Sequence, residues 1–217
     1  MYDNCFIKLN SYIYNFIVNI LFMDNSTKNK RYIKILDIAK TLFWKYGFKK
    51  VSVEEICSEA KVSKVTFYKF FPNKLELAKS VYDNAVDESV IKLIEIINED
   101  TTAKVKMKNI LNLKMEGANN ISKEFLSDFY SNPELGLKDY IEKKTNESWM
   151  EILKYFEKAQ KDGYLRSDLN INFFFYFSQK LADMITDPYL LSLYQSPQDL
   201  IMEMANFFAY GISPNDQ

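Results

Sequence analysis

Apolar residues recur at spacings of three and four from residue 35 onward. Ile35, Ile38, Ala39, Leu42, Phe43 and Tyr46 form one such stripe, the inner face of a helix. Gly47 follows directly and is placed to end that helix with a positive φ. Ser52 then reads as an N-cap, with Glu55 three residues on to complete a capping box. Val53, Ile56, Cys57 and Ala60 give the inner face of a short second helix. Ala60-Lys61-Val62-Ser63 reads as a tight turn, with Ser63 capping a third helix from Lys64 to Phe71. Phe67 and Phe71, four apart, share its buried face, which leaves Lys64, Val65, Tyr68 and Lys69 outward. Pro72 and Asn73 stop this helix, because proline cannot continue it.

A long helix is expected from Lys74 to about Asn98, through Leu77, Val81, Tyr82, Ala85, Val90, Leu93, Ile94 and Ile97. Thr101-Thr102 opens another, with Val105, Ile110, Leu111 and Met115 inward. Phe125, Phe129 and Tyr130 lie on a short helix ending near Asn132-Pro133, and residues 134–161 carry the next. Two strongly apolar helices close the chain. One holds Phe173-Phe174-Phe175-Tyr176-Phe177 with Leu181, Met184 and Ile185; the other holds Leu200, Ile201, Met204, Phe207, Phe208 and Tyr210. A helix apolar on all sides needs cover on more than one side, and a second subunit is the economical cover.

Composition agrees with an all-helical chain. Glycine and proline number 5 each in 217 residues, too few for the tight turns of sandwiches, barrels or doubly wound sheets. Histidine is absent, which excludes Ser-His-Asp and Cys-His catalysis and any His-ligated zinc or haem. Neither glycine-rich phosphate fingerprint occurs. Glu54-Glu55 and Asp87-Glu88 read as solvated helix faces. The two cysteines, Cys5 and Cys57, suit a reducing cytoplasm, and Cys57 reads as a small buried hydrophobe.

Charge divides the chain. The net charge is -1, yet residues 28–79 hold 13 basic and 5 acidic side chains, whereas residues 81–217 hold 14 basic and 22 acidic. A basic segment suits a polyanion, and an acidic remainder stays off it. Residues 1–22 form an apolar extension, with a run from Tyr12 to Met23 too short for the roughly 20 residues of a membrane span. Met23 is the expected start of the native chain; the other reading is an extra amphipathic helix packed on the body or a partner.

Two short helices joined by a three- to four-residue turn, the second with a basic and aromatic outer face, are how a DNA-reading helix-turn-helix is built. Residues 28–88, with the helix-turn-helix at about 51–70, resemble the DNA-binding domain of TetR-family transcriptional regulators, of the AcrR type. The resemblance rests on Ile35-Leu36-Asp37-Ile38-Ala39, Leu42-Phe43-Trp44-Lys45-Tyr46-Gly47-Phe48, Val51-Ser52-Val53-Glu54-Glu55-Ile56 and the run from Ala60 to Lys74. Two positions depart from the family pattern: Lys61 stands where the family usually has glycine, so it must accept a positive φ, and Val65 stands where glycine is frequent.

The resemblance implies an all-α fold in which this three-helix domain is joined by a long helix to a helical ligand-binding and dimerisation domain, residues 89–217. It implies that Ser52, Thr66, Tyr68 and Lys74 hold DNA phosphates, while Lys64, Val65 and Lys69 face base edges. It also implies a four-helix homodimer interface from the last two helices, here Phe174, Phe177, Leu181, Met204, Phe207 and Phe208. Met115, Phe125, Phe129, Trp149 and Tyr155 are candidates to line an apolar pocket. The expected protein is a cytoplasmic, homodimeric repressor of a palindromic duplex operator, switched by a small apolar or amphipathic effector. It is expected to have no catalytic or metal residues, no cofactor and no membrane partner. The rivals are a helix-turn-helix protein without a small-molecule switch, and an all-α enzyme or protein-binding bundle.

Overall fold

A computed structural model describes residues 27–214, so both readings of residues 1–22 lie outside the described residues. No strand occurs among the described residues. The helices are α1 (Thr27–Lys50), α2 (Val53–Ala60), α3 (Lys64–Phe70), α4 (Lys74–Asn98), α5 (Ala103–Ala118), α6 (Lys123–Leu126), α7 (Lys138–Lys161), α8 (Ile171–Met184), α9 (Pro188–Ser192) and α10 (Pro197–Ile212). None is long and apolar enough to cross a membrane.

Local chemistry sets the boundaries. Ser52, Ser63 and Asn73 cap α2, α3 and α4 by accepting the N–H groups of Glu55, Thr66 and Glu76. At Ser52 that is half of the expected capping box. The reciprocal box forms instead at α10, between Ser196 and Asp199. Lys61 lies in the left-handed region at φ 55°, ψ 46°, as the turn demands. Gly47 has φ 80° with an extended ψ of 170°, so α1 is broken there and resumes for one more turn. A segment expected to be helical from residue 134 is a single 3-10 turn, Pro133–Leu135, because Gly136 turns the chain at φ 67° before α7 begins.

Two apolar clusters hold the molecule together. The first joins α1–α4 to the segment carrying Phe125, Leu126 and Phe129, and Phe43, Phe67 and Phe129 are inaccessible to solvent in it. The second gathers Ile97, Ile152, Phe156, Leu165, Phe174 and Ile212 around the later helices. The long α4 packs on α1, α5 and α7 and so spans both.

Candidate nucleic-acid interface and ligand cavity

The apolar spacing of α3 decides which of its side chains face outward. Phe67 is its one buried residue, set against Phe71 and the ring of Tyr68. Lys64, Val65, Tyr68 and Lys69 occupy the opposite face, with Val65 68% exposed. A large apolar group in that position on a short basic helix has no core to join. Lys64 forms an ion pair with Glu54 of α2, which raises the lysine pKa and lowers that of the carboxyl. Thr66 sits at the start of α3, its N–H donating to Ser63 Oγ at 3.1 Å. The exposed Ser52 starts α2. These residues lie at the N-termini of two adjacent helices, where free N–H groups and the helix dipole favour phosphate.

Lys74 is placed differently. It lies at the first position of α4, and its Nζ donates to the carbonyls of Phe48 and Val51 at 2.8 Å each. The ammonium also stands 4.3 Å from the Phe48 ring centre. Burial lowers its pKa, and Asp128 opposes that shift. The cation that would disfavour its own helix start instead satisfies carbonyls at the end of α1. In this geometry it is a clasp between α1 and α4. Lys74→Met is expected to cost about 2 kcal/mol, since hydrogen bonds from charged groups contribute roughly 1.5–3 kcal/mol. That is roughly 4–8 °C of melting temperature for a chain of this size. An unchanged Tm together with a weaker salt dependence of DNA binding would assign Lys74 to phosphate instead.

The helical body grips the broken end of α1. The Lys49 N–H donates to Asp128 Oδ2 at 2.9 Å, and Lys50 Nζ lies 3.0 Å from Glu124 Oε1. Ser122 N–H donates to the Trp44 carbonyl at 2.9 Å. Asp128 is buried within a π-helical turn, Ser127–Ser131. Such turns recur at functional positions inside helical proteins.

The same segment forms part of a cavity wall. A cavity of about 570 Å³ lies between α4, α5, α7, α8 and α10, within the usual size of small-molecule pockets, roughly 300–1,000 Å³. Its wall is mainly apolar. Phe125 and Trp149 line it as expected. Met115, Phe129 and Tyr155 do not. Met115 is half-exposed on the outer face of α5, one residue past the inward Lys114, and Phe129 is buried against Trp44, Phe43 and Phe125. Val105, also expected inward, is exposed.

The expected dimer residues divide as well. Phe174 is buried, stacked on Phe156 at 5.3 Å and edge-on to Phe208, so it belongs to the core of its own chain. Leu181, Met204 and Phe208 also reach the cavity wall. Phe207 and Phe177 point outward, and with them Phe173, Tyr176 and Tyr210. Phe173 and Phe177 stack at 5.7 Å on that outer face, while Phe207 is 70% and Tyr210 83% exposed. The signal was the 3.6-residue period itself: positions 173, 176 and 177 share a face that position 174 does not.

A three-helix domain with a helix-turn-helix, clamped to a larger helical body with its own cavity, is the build of a bacterial DNA-binding regulator. Residues 35–81 match the family model described as bacterial regulatory proteins, tetR family, which supports a TetR-type DNA-binding domain over that stretch. The chain is 24% identical over 165 residues, 73% of this chain and 79% of the other, to the HTH-type transcriptional repressor KstR2 of Rhodococcus jostii. Its fold is that of the fatty acid degradation regulator FadR from Bacillus halodurans, at 20% identity and a TM-score of 0.59, covering 83% of this chain and 95% of that one. FadR from Bacillus subtilis, solved in complex with stearoyl-CoA, superposes with a TM-score of 0.60 at 18% identity, covering 82% and 96%.

Proposed function

We propose that this chain is a ligand-responsive repressor that binds a palindromic operator as a homodimer. Residues 28–88 read DNA, and residues 89–217 bind the effector and pair the subunits. The observation that carries the proposal is the outer face of α3, where Val65, Tyr68 and Lys69 project from a helix whose one buried anchor is Phe67. Lys64, Val65 and Lys69 face base edges, and Ser52, Thr66 and Tyr68 hold phosphates. On binding, Lys64 exchanges Glu54 for the operator. The last two long helices cover each other across a two-fold axis through Phe173, Tyr176, Phe177, Phe207 and Tyr210.

The effector is apolar or amphipathic, with a tail that fits the cavity, and the stearoyl-CoA bound by one FadR is a ligand of that shape. Phe125, Leu126 and Tyr130 line the cavity on the segment whose Glu124 and Asp128 hold the end of α1. A ligand that moves those side chains moves the clamp, and with it the spacing of the two recognition helices. Both ligand and DNA then bias one two-state element.

The test is a salt titration of the full chain and of Lys69→Ala on operator and random duplex. Lys69→Ala is expected to weaken operator binding by roughly 1–3 kcal/mol more than random binding, the discrimination that one good base contact supplies. Equal losses on both duplexes would reduce Lys69 to a backbone contact. No salt dependence on either would sink the DNA-binding role, because neutralised phosphates release counterions.

A further inference from the structure

The cavity wall has a charge pattern opposite to that of the domain around it. Residues 81–217 carry 22 acidic and 14 basic side chains. Yet the described residues lining the cavity include Lys40, Lys106 and Lys114 and neither aspartate nor glutamate. Two of these lysines are occupied. Lys106 donates to the Ile97 carbonyl at 2.5 Å and lies 3.9 Å from the Tyr164 ring centre, capping the end of α4. Lys40 pairs with Glu88 at 4.0 Å and faces the Trp44 ring.

Lys114 differs from both. Helical spacing sets it on the inward stripe of α5 with Lys106, Ile110 and Ala118, all of which line the cavity. Its side chain has open surface, yet burial lowers its pKa with no opposing charge. Lys114 is thus an exposed lysine on the cavity wall, set among apolar neighbours. No described residue pairs with its ammonium. Several of the other polar groups on the wall are engaged. Tyr82 bonds Thr145 at 3.1 Å; Ser89, Ser148 and Ser178 donate to carbonyls of their own helices; and Gln179 donates to Asn146.

We propose that the cavity takes an amphipath with an acid head, carboxylate or phosphate, and that Lys114 binds that head. The proposal rests on the effector reading above and gives the effector its charge. An apolar tail entering the cavity displaces the water that hydrates Lys114. A neutral ligand leaves the ammonium desolvated and unpaired, which is costly; an acid head replaces the lost water with a charge-assisted bond. The same ammonium therefore attracts an acid and rejects the alcohol or ester of the same chain.

The experiment is calorimetric titration of the full chain with dodecanoate, dodecyl phosphate and dodecan-1-ol, repeated on Lys114→Gln and Lys114→Arg. At least one acid is expected to bind the native protein about tenfold or more tighter than the alcohol, and the tighter of the two names the head group. Lys114→Gln is expected to erase that preference and Lys114→Arg to keep it. Free of ligand, Lys114→Gln is expected to melt within about 2 °C of the native temperature, since an exposed ammonium with no partner contributes little to stability. Should that variant fail to fold, the acid-to-alcohol ratio of the native protein and of Lys114→Arg still decides. Binding of all three probes without preference, or a preference that survives Lys114→Gln, would overturn the proposal and leave the apolar cavity standing. Binding of none would overturn both.

Discussion

Gly47→Ala is expected to unclamp the DNA-binding domain from the helical body. Gly47 combines φ 80° with ψ 170°, a region that side chains on an L-residue rarely enter. A methyl group there would lie 2.8 Å from Asp128 Oδ2, 3.0 Å from Glu124 Cβ and 3.1 Å from the Glu124 carbonyl carbon. The last of these is backbone and cannot swing aside. Backbone strain and crowding together are expected to cost about 2–4 kcal/mol, or roughly 5–15 °C of melting temperature for a chain of this length. The Asp128 bond to the Lys49 N–H is the first contact forced apart, so coupling between effector and DNA should weaken beyond the loss of stability. A Tm within about 2 °C of the native value would show that the break in α1 is not held by this close approach.

Phe207→Asp is expected to leave the subunit folded and separate the dimer. Phe207 is 70% exposed on one subunit, so the fold loses little when it is replaced. In the dimer proposed above the same position is covered, and an unpaired carboxylate there would be costly. Losing the second half-site contact should lower operator affinity roughly 10²–10⁴-fold, the usual gain from linking two binding modules. Phe174→Asp should behave differently, because Phe174 is wedged between Phe156, Trp149 and Phe208. Its variant should lose the fold before it loses the partner. Sedimentation of the two, beside their thermal melts, separates these outcomes. If Phe207→Asp and Phe177→Asp both sediment as dimers, subunits pair elsewhere.

The helix-turn-helix was legible in the sequence because local rules and the tertiary fold agree there. Ser52 and Ser63 cap the helices, Lys61 takes the left-handed turn, and Phe67 anchors α3. The long α4 was legible from end to end because Asn73 starts it and its apolar period is unbroken. The cavity was not. Its wall is drawn from α4, α5, α7, α8 and α10, and periodicity shows only that a side chain faces inward, not whether a core or a void meets it. A lysine on an inward stripe reads as a solvated residue and a methionine as an inward one, yet Lys114 lines the cavity and Met115 does not. Lys74 was legible only in part: a cation at a helix start suggests phosphate, and its carbonyl partners at the end of another helix have no signal in the sequence. The π-helical turn at Ser127–Ser131 has no periodic signal, and the short α9 has only the local one of an Asp187 cap followed by Pro188.

In the proposed dimer, two copies of α3 read one duplex. Selection of bound sequences from a random duplex pool by the full chain tests it most directly. The enriched sequences should be palindromic, with half-site centres about 34–36 Å apart or a multiple of that, as a two-fold dimer on one face of B-DNA requires. A pool that stays random after several rounds, or enriches single sites with no dyad symmetry, would contradict it.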